Sequence, residues 1–280
     1  MSPLRQKMID LMKVKNFAEK TQKSYLNSVV SLVKYFRKSP ELLTQDNLQD
    51  YFVYLVKERN LAANSCRLQL NGIRFFYLQV LGRTCQSIKV HYPKRPLKIP
   101  ELLTHEEALR IVNAPLNLKQ RAMLQTCYGC GLRVSEVCAL KVKDIDGNRL
   151  LLKIRQGKGA KDRLVPIPNS LLILLRKYWC EHRPHDALFY AWNHDKHYSI
   201  TSLQKVYRKA KVNAGVEKDG GIHGLRHAYA THQLEAGLPI HLLQNWLGHT
   251  NINTTMRYIH WIPSYKPEKE GLTDLLGETL

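Results

Sequence analysis

A chain of 280 residues is long enough for two ordinary domains or one large one. Lys and Arg number 43 against 23 Asp and Glu, a formal net charge of +20 with a pI near 9.7, which points to nucleic acid or an anionic membrane surface as partner. No run of about 18 apolar residues could span a bilayer, the opening MSPLRQKMIDLMKVKN lacks the features of a secretory signal, and six cysteines at 66, 85, 127, 130, 138 and 180 are too irregular for a disulfide framework; the expectation is a cytoplasmic protein with reduced thiols and no membrane partner.

Residues 1 to about 90 read as four short helices. TQKSYLNSVVSLVKYFRKS sets Tyr25, Val29, Leu32, Val33 and Phe36 at three- and four-residue spacing, one apolar stripe, and stops at Ser39-Pro40. Thr44 signals the start of the next helix, with Leu48, Phe52 and Leu55 on one face; a further helix starts at Asn64 and ends by Gly82. Up to residue 100 there are 18 Lys and Arg against six acids, an excess that favours a DNA-facing surface in so small a domain. Residues 91–102 then break the pattern. HYPKRPLKIPEL is rich in proline and cations, and reads as an extended basic linker whose Lys94, Arg95 and Lys98 are candidate phosphate-backbone contacts.

Thr104 with Glu107 three residues on is a capping-box signature that opens a second domain, 103–280. RLLLKIRQGKGAKDRLVPIP predicts two strands, about 149–155 and 162–167, joined by a turn at Gly157 to Lys161. Helices are expected at 169–182, 199–214, 224–236, 239–247 and 253–260. The apolar pattern restarts at Leu272, Leu275 and Leu276, read as a short detached helix. The fold class is therefore mainly α with a small β-hairpin.

Two motifs have bland readings. CYGC at 127–130 has zinc-knuckle and redox spacing, but no second pair follows and its surroundings look like a buried helix, so both thiols are read as packing. HGLRH at 223–227 has two histidines four apart, as on a zinc-protease helix, but carries Gly and Leu where that motif needs its glutamate. No metal site is expected.

GLRVSE (131–136), QGKGAKDRLVPI (156–167), HGLRH (223–227), WLGH (246–249) and Tyr258 nevertheless occur in one order. Together they resemble the tyrosine recombinases of the phage integrase family, most closely the small Xer-like bacterial members, over nearly the whole chain. The resemblance implies a four-helix SAM-like core-binding domain, a basic linker and a catalytic domain. It makes Tyr258 the nucleophile, forming a 3′-phosphotyrosyl bond to DNA, and places Arg133, Lys158, His223, Arg226 and His249 around it, with Glu136 in support.

These residue types suit the chemistry. Cleaving a phosphodiester needs a nucleophile, charge on the non-bridging oxygens and a proton for the leaving oxygen. Arg133 and Arg226 can each grip a phosphate with a planar fork of donors. Guanidinium charge favours the phenolate of Tyr258. Lys158, at the hairpin tip, could protonate the leaving 5′ oxygen; Lys161 and Arg163 are close rivals or else DNA-backbone contacts. His223 and His249 would donate hydrogen bonds to the phosphate or shuttle the phenolic proton. His227 and His232 are read as packing or backbone contacts. No cofactor is expected, since the phosphotyrosine stores the energy of the broken bond.

The resemblance implies site-specific recombination, with double-stranded DNA bearing an inverted-repeat site as partner and a homotetramer assembled on two sites. Residues about 268–277 would form the C-terminal helix exchanged between subunits; the alternative is a tail folded back on its own domain. Type IB topoisomerase-like relaxation and a non-catalytic DNA-binding regulator are the competing classes. The target sequence, the biological role and any accessory protein or partner recombinase are not legible.

Overall fold

The computed structural model describes residues 2–84, 90–91, 101–155, 162–192, 196–262, 265–266 and 271–277. It divides into two compact units, Met1–Lys98 and Ile99–Leu280. Among the described residues no helix is long and apolar enough to cross a membrane.

The first unit holds α1 (Pro3–Val14), α2 (Glu19–Phe36), α3 (Gln45–Lys57) and α4 (Ala63–Phe75), the last continuing through a π-helical turn, Phe76–Val80. The expected stripe on α2 packs inward: Leu32 and Val29 are buried, and Tyr25, Val33 and Phe36 flank the same core. This helix ends before the proline, because Arg37 adopts a left-handed conformation at φ 50°. Thr44 caps α3 in a reciprocal box with Asn47. Met8, Met12, Leu48, Phe52, Leu55 and Ile73 complete a core to which every helix contributes.

The second unit begins at α5 (His105–Asn113), whose Thr104–Glu107 capping box forms as the spacing predicts. After α6 (Leu118–Gly129) and α7 (Val134–Ala139) comes an antiparallel sheet of order β1-β2-β3, made of Ile145–Asp146, Leu151–Ile154 and Arg163–Pro166. β2 and β3 pair with Leu151 opposite Pro166 and Ile154 opposite Arg163. Leu152, Ile154 and Val165 point into the core. β1 is an addition to the expected hairpin; two residues are too few to show a period of two in sequence. The chain then forms α8 (Asn169–His182), α9 (Ile200–Asn213), α10 (His223–Glu235), α11 (Ile240–Leu247) and α12 (Ile252–Ile259).

The helix expected at the C-terminus is corrected over its described part. Residues 271–277 form no helix and lie against their own unit; the first part of the expected exchange helix, 268–270, lies outside the described residues. Asp274 is the physical reason. Its carboxylate accepts from the backbone N–H of Leu276 and Gly277, bending the segment into a turn, and from Ser170 N and Oγ at the start of α8. Gln233 exchanges two hydrogen bonds with the Thr273 backbone, His105 Nε2 pairs with the Leu275 carbonyl, and Leu275 is buried.

Candidate active site

The site grows from backbone turns that place arginines in the core. α6 ends where Gly131 turns left-handed at φ 59°, and a Cβ there would lie 2.3 Å from the Tyr229 ring. Only glycine fits both demands. The turn delivers Arg133 to the N-cap of α7, where Glu136 accepts from its backbone N–H at 2.9 Å and from its guanidinium at 2.7 Å. Gly248 closes α11 in the same way, at φ 65°, with Arg163 pressed against the face where a side chain would stand.

Arg226, on the first turn of α10, is almost wholly buried. Its Nη1 donates to the Gly131 carbonyl at 2.8 Å, and its Nη2 to the Leu247 carbonyl at 2.6 Å. These bonds lock the fork between the two glycine turns. Nη2 also meets His249 Nε2 at 3.1 Å. Arginine can only donate, so Nε2 of His249 is the acceptor and Nδ1 carries the proton. That Nδ1–H then donates to the buried hydroxyl of Thr255, 2.9 Å away on α12.

Tyr258 is buried on the inner face of α12. Burial raises its phenol above the usual value, and the charges of Arg226 and Arg133 offset only part of that rise. Burial and the Arg226, Arg133 and Arg163 charges push His249 down to about 3, and burial, His223 and Arg226 push His227 down to about 4. Crowding by protein, then Arg226 and Arg133, lower His223 as well. The imidazoles are therefore neutral at pH 7. Burial pulls Arg226 down to about 10, so it keeps its charge.

Two readings of the sequence change here. Arg163, expected as a DNA-backbone contact, is turned inward. It donates to both Glu136 oxygens at 3.0 and 2.8 Å and to the Trp246 carbonyl at 2.7 Å, so its guanidinium is committed to the protein. Burial alone would raise the Glu136 carboxyl; the bonds and charge of Arg163, with those of Arg133, reverse this and hold it down at about 2. His227, taken as packing, pairs instead through Nδ1 with the Tyr258 hydroxyl at 3.0 Å. The signal in the sequence was its position, four residues after His223 on one helix face and adjacent to Arg226. Thr255 was missed as well.

His232 is a structural contact, bonded to Tyr128 and to the Leu103 carbonyl. Cys127 and Cys130 are buried among apolar neighbours, and burial pushes both thiols far up. Lys158, Lys161, Lys94, Arg95 and Lys98 lie outside the described residues.

The site is a buried phenol held close to guanidinium groups and neutral imidazoles on a helical scaffold, the makings of an enzyme centre. Comparison with known proteins makes this specific. Residues 101–263 match the phage integrase family and residues 4–87 its N-terminal SAM-like domain. A tyrosine recombinase of Thermosipho africanus is 30% identical over 259 residues, 88% of this chain and 90% of its own. Tyrosine recombinase XerA of Pyrococcus horikoshii is 32% identical over 233 residues, 81% and 79% of the two chains. Among solved structures, an XerA recombinase crystal structure aligns over 92% of each chain with a TM-score of 0.54 at 27% identity. The XerH site-specific recombinase bound to difH substrate in a pre-cleavage complex shares the fold, with a TM-score of 0.68 over 88% of this chain and 77% of its own at 22% identity. The chain belongs to the phage integrase family and is a tyrosine site-specific recombinase.

Proposed function

We propose that Tyr258 attacks a DNA phosphate and forms a 3′-phosphotyrosyl bond, which a second DNA hydroxyl then attacks to exchange strands through a Holliday junction. Arg133 and Arg226 hold the non-bridging oxygens. Arg133 is the more open of the two, its side chain 22% exposed, and Arg226 forms the buried floor. Glu136 orients both arginines without touching DNA. His249 gives up its bond to Arg226 when phosphate binds and, protonated at Nε2 by the arriving anion's field, donates to it while Nδ1–H stays on Thr255; His223, exposed at the start of α10, donates from the solvent side. Lys158 protonates the leaving 5′ oxygen.

The observation that carries this reading is the placing of Tyr258 beside the Arg226–His249 pair, where two guanidinium charges act on its phenol. The net charge of +20 supports double-stranded DNA as partner, with Lys94, Arg95, Lys98 and Lys161 on the backbone. The protein works as a homotetramer in the cytoplasm, on two sites built from inverted repeats, and the C-terminal segment, about 268–277, docks on a neighbouring subunit.

A nicked suicide duplex tests the nucleophile. Its arms are selected from a randomised library by covalent capture with the parent protein. Parent enzyme should accumulate a protein–DNA adduct and Tyr258→Phe none; adduct formation by Tyr258→Phe at the parent rate refutes the assignment. Non-covalent affinity should fall steeply between about 50 and 200 mM salt, and a salt-independent affinity would refute the backbone contacts.

A further inference from the structure

We propose that His227 is the catalytic base that takes the phenolic proton of Tyr258 as its oxygen attacks DNA, a role that rests on Tyr258 being the nucleophile. The geometry singles it out. Among the described residues His227 Nδ1, at 3.0 Å, is the one hydrogen-bond partner of the Tyr258 hydroxyl. A buried phenol must place its proton on an acceptor, so Nδ1 carries the lone pair and Nε2 the hydrogen. The other two histidines are turned elsewhere. The His249 ring lies nearly parallel to that of Tyr258, 9° between planes and 6.4 Å between centroids, with Nε2 on Arg226 and Nδ1 on Thr255. His223 meets the His227 ring edge-on at 4.5 Å, one step further from the hydroxyl.

The pair is held in place. Trp261 stands edge-on to both rings, 6.0 Å from His227 and 5.3 Å from Tyr258. The Thr231 hydroxyl donates to the His227 carbonyl one helical turn on. The titratable or charged groups facing His227 are His223 and Arg226 on α10 and Tyr258 on α12.

Burial, His223 and Arg226 hold the free imidazole down at about 4, which makes it a weak base in the absence of DNA. A phosphate anion settling on Arg226 offsets the cationic field and raises the proton affinity of His227 as the proton arrives. Substrate thus activates its own base. In cleavage the Tyr258 Oη–P bond forms as P–O5′ breaks, the phenolic proton passes to Nδ1, and the 5′ oxygen takes a proton from a separate acid. In religation the attacking 5′ hydroxyl returns its proton to that acid's conjugate base, and the His227 imidazolium returns its own to the departing phenolate.

The test uses the full chain and the captured suicide duplex. His227→Asn keeps an acceptor near the Nδ1 position but cannot take a proton. It should fold and bind DNA as the parent does, yet form adduct about 10²–10³ times more slowly. The same loss should persist on a duplex with a 5′-bridging phosphorothiolate, whose thiolate leaves without an acid. An adduct rate within about threefold of the parent, or a rate restored by the phosphorothiolate, overturns the proposal. If His227→Asn unfolds, ¹⁵N spectra of the parent decide: an unprotonated Nδ1 at His227 upholds the role and a protonated one refutes it. Adduct formation by Tyr258→Phe would instead bring down the nucleophile assignment itself, independently of these outcomes.

Discussion

Arg163 closes a two-pronged ion pair on Glu136, Nη1 to Oε1 at 3.0 Å and Nη2 to Oε2 at 2.8 Å, with the side chains only 10% and 7% exposed. Two parallel bonds fix the carboxylate plane. The same carboxylate holds the Arg133 guanidinium and lies 3.9 Å from that of Arg226. One buried acid therefore organises three cations that would otherwise repel one another.

Removing Arg163 leaves Glu136 to Arg133 and Arg226 alone, and breaking a buried pair costs up to about 3–5 kcal/mol. Arg163→Met should lower stability by roughly that amount in urea titrations and slow adduct formation, because Arg133 and Arg226 lose a fixed anchor. The salt dependence of DNA affinity should keep its parental slope, since Arg163 neutralises no phosphate. A shallower slope in the variant would show that Arg163 does reach DNA.

The inward turn of Arg163 marks where the sequence stops being legible. A cation two residues past Lys161, in a basic hairpin, looks the same whether it faces DNA or a buried carboxylate. Helices were readable because their signals are local: the α2 stripe, the Thr44 box and the Thr104–Glu107 box each lie within a few turns. Arg133, Arg226, His249 and Tyr258 could be picked out by order and type, but not the bonds joining them. The His227–Tyr258 bond joins residues 31 apart, and no periodicity encodes it. The tail was misread because its leucine spacing suits a helix, while the carboxylate of Asp274 takes the N–H groups on which that helix would depend.

Buried His232 and half-buried His227 and His249 make stability depend on pH. Burial is the first cause in each case, and it holds His227 and His232 at about 4 and His249 at about 3, against an ordinary 6.5. Between pH 6.5 and 4 the unfolded chain binds protons that the folded one refuses, so stability rises with pH across that window. It is fully present above about 6.5 and lost as pH falls, on the order of 1–3 kcal/mol per histidine. Glu136 adds a second step, present above about 4.5 and lost toward 2. Urea midpoints measured from pH 8 to pH 4 should fall steadily below 6.5, and His232→Gln should reduce that slope by about one proton. A midpoint that stays level from pH 7 to 4.5 would contradict the buried neutral state.

Gly131 ties the stability of the domain to its chemistry. A methyl group there would meet the Tyr229 ring at 2.3 Å while the backbone sits at φ 59°. Gly131→Ala should therefore destabilise by about 2–4 kcal/mol, combining left-handed strain with overpacking. The Gly131 carbonyl also accepts from Arg226, and Arg133 follows two residues later. Adduct formation at low temperature, where the variant remains folded, should fall by at least about tenfold, a shift of about 1.4 kcal/mol in barrier. Recovery of the parental rate under those conditions would confine Gly131 to a packing role.

Thr255 sets the tautomer of His249 from the nucleophile's own helix. Its buried hydroxyl accepts from Nδ1–H at 2.9 Å, while Nε2 accepts from Arg226 at 3.1 Å. A valine has nearly the same shape and no acceptor, so Thr255→Val leaves the Nδ1 proton unpaired in a buried place, a loss of about 1–3 kcal/mol. The ring then has reason to rotate or to move its proton to Nε2, where Arg226 offers only donors. ¹⁵N spectra should show the parent protonated at Nδ1 and the variant mixed, with adduct formation slowed about 10-fold to 100-fold, as expected when a partner orienting a catalytic imidazole is lost. Thr255→Ser, which restores the hydroxyl, should recover most of the rate. If serine and valine behave alike, the hydroxyl is not what holds His249, and the methyl packing on α12 is.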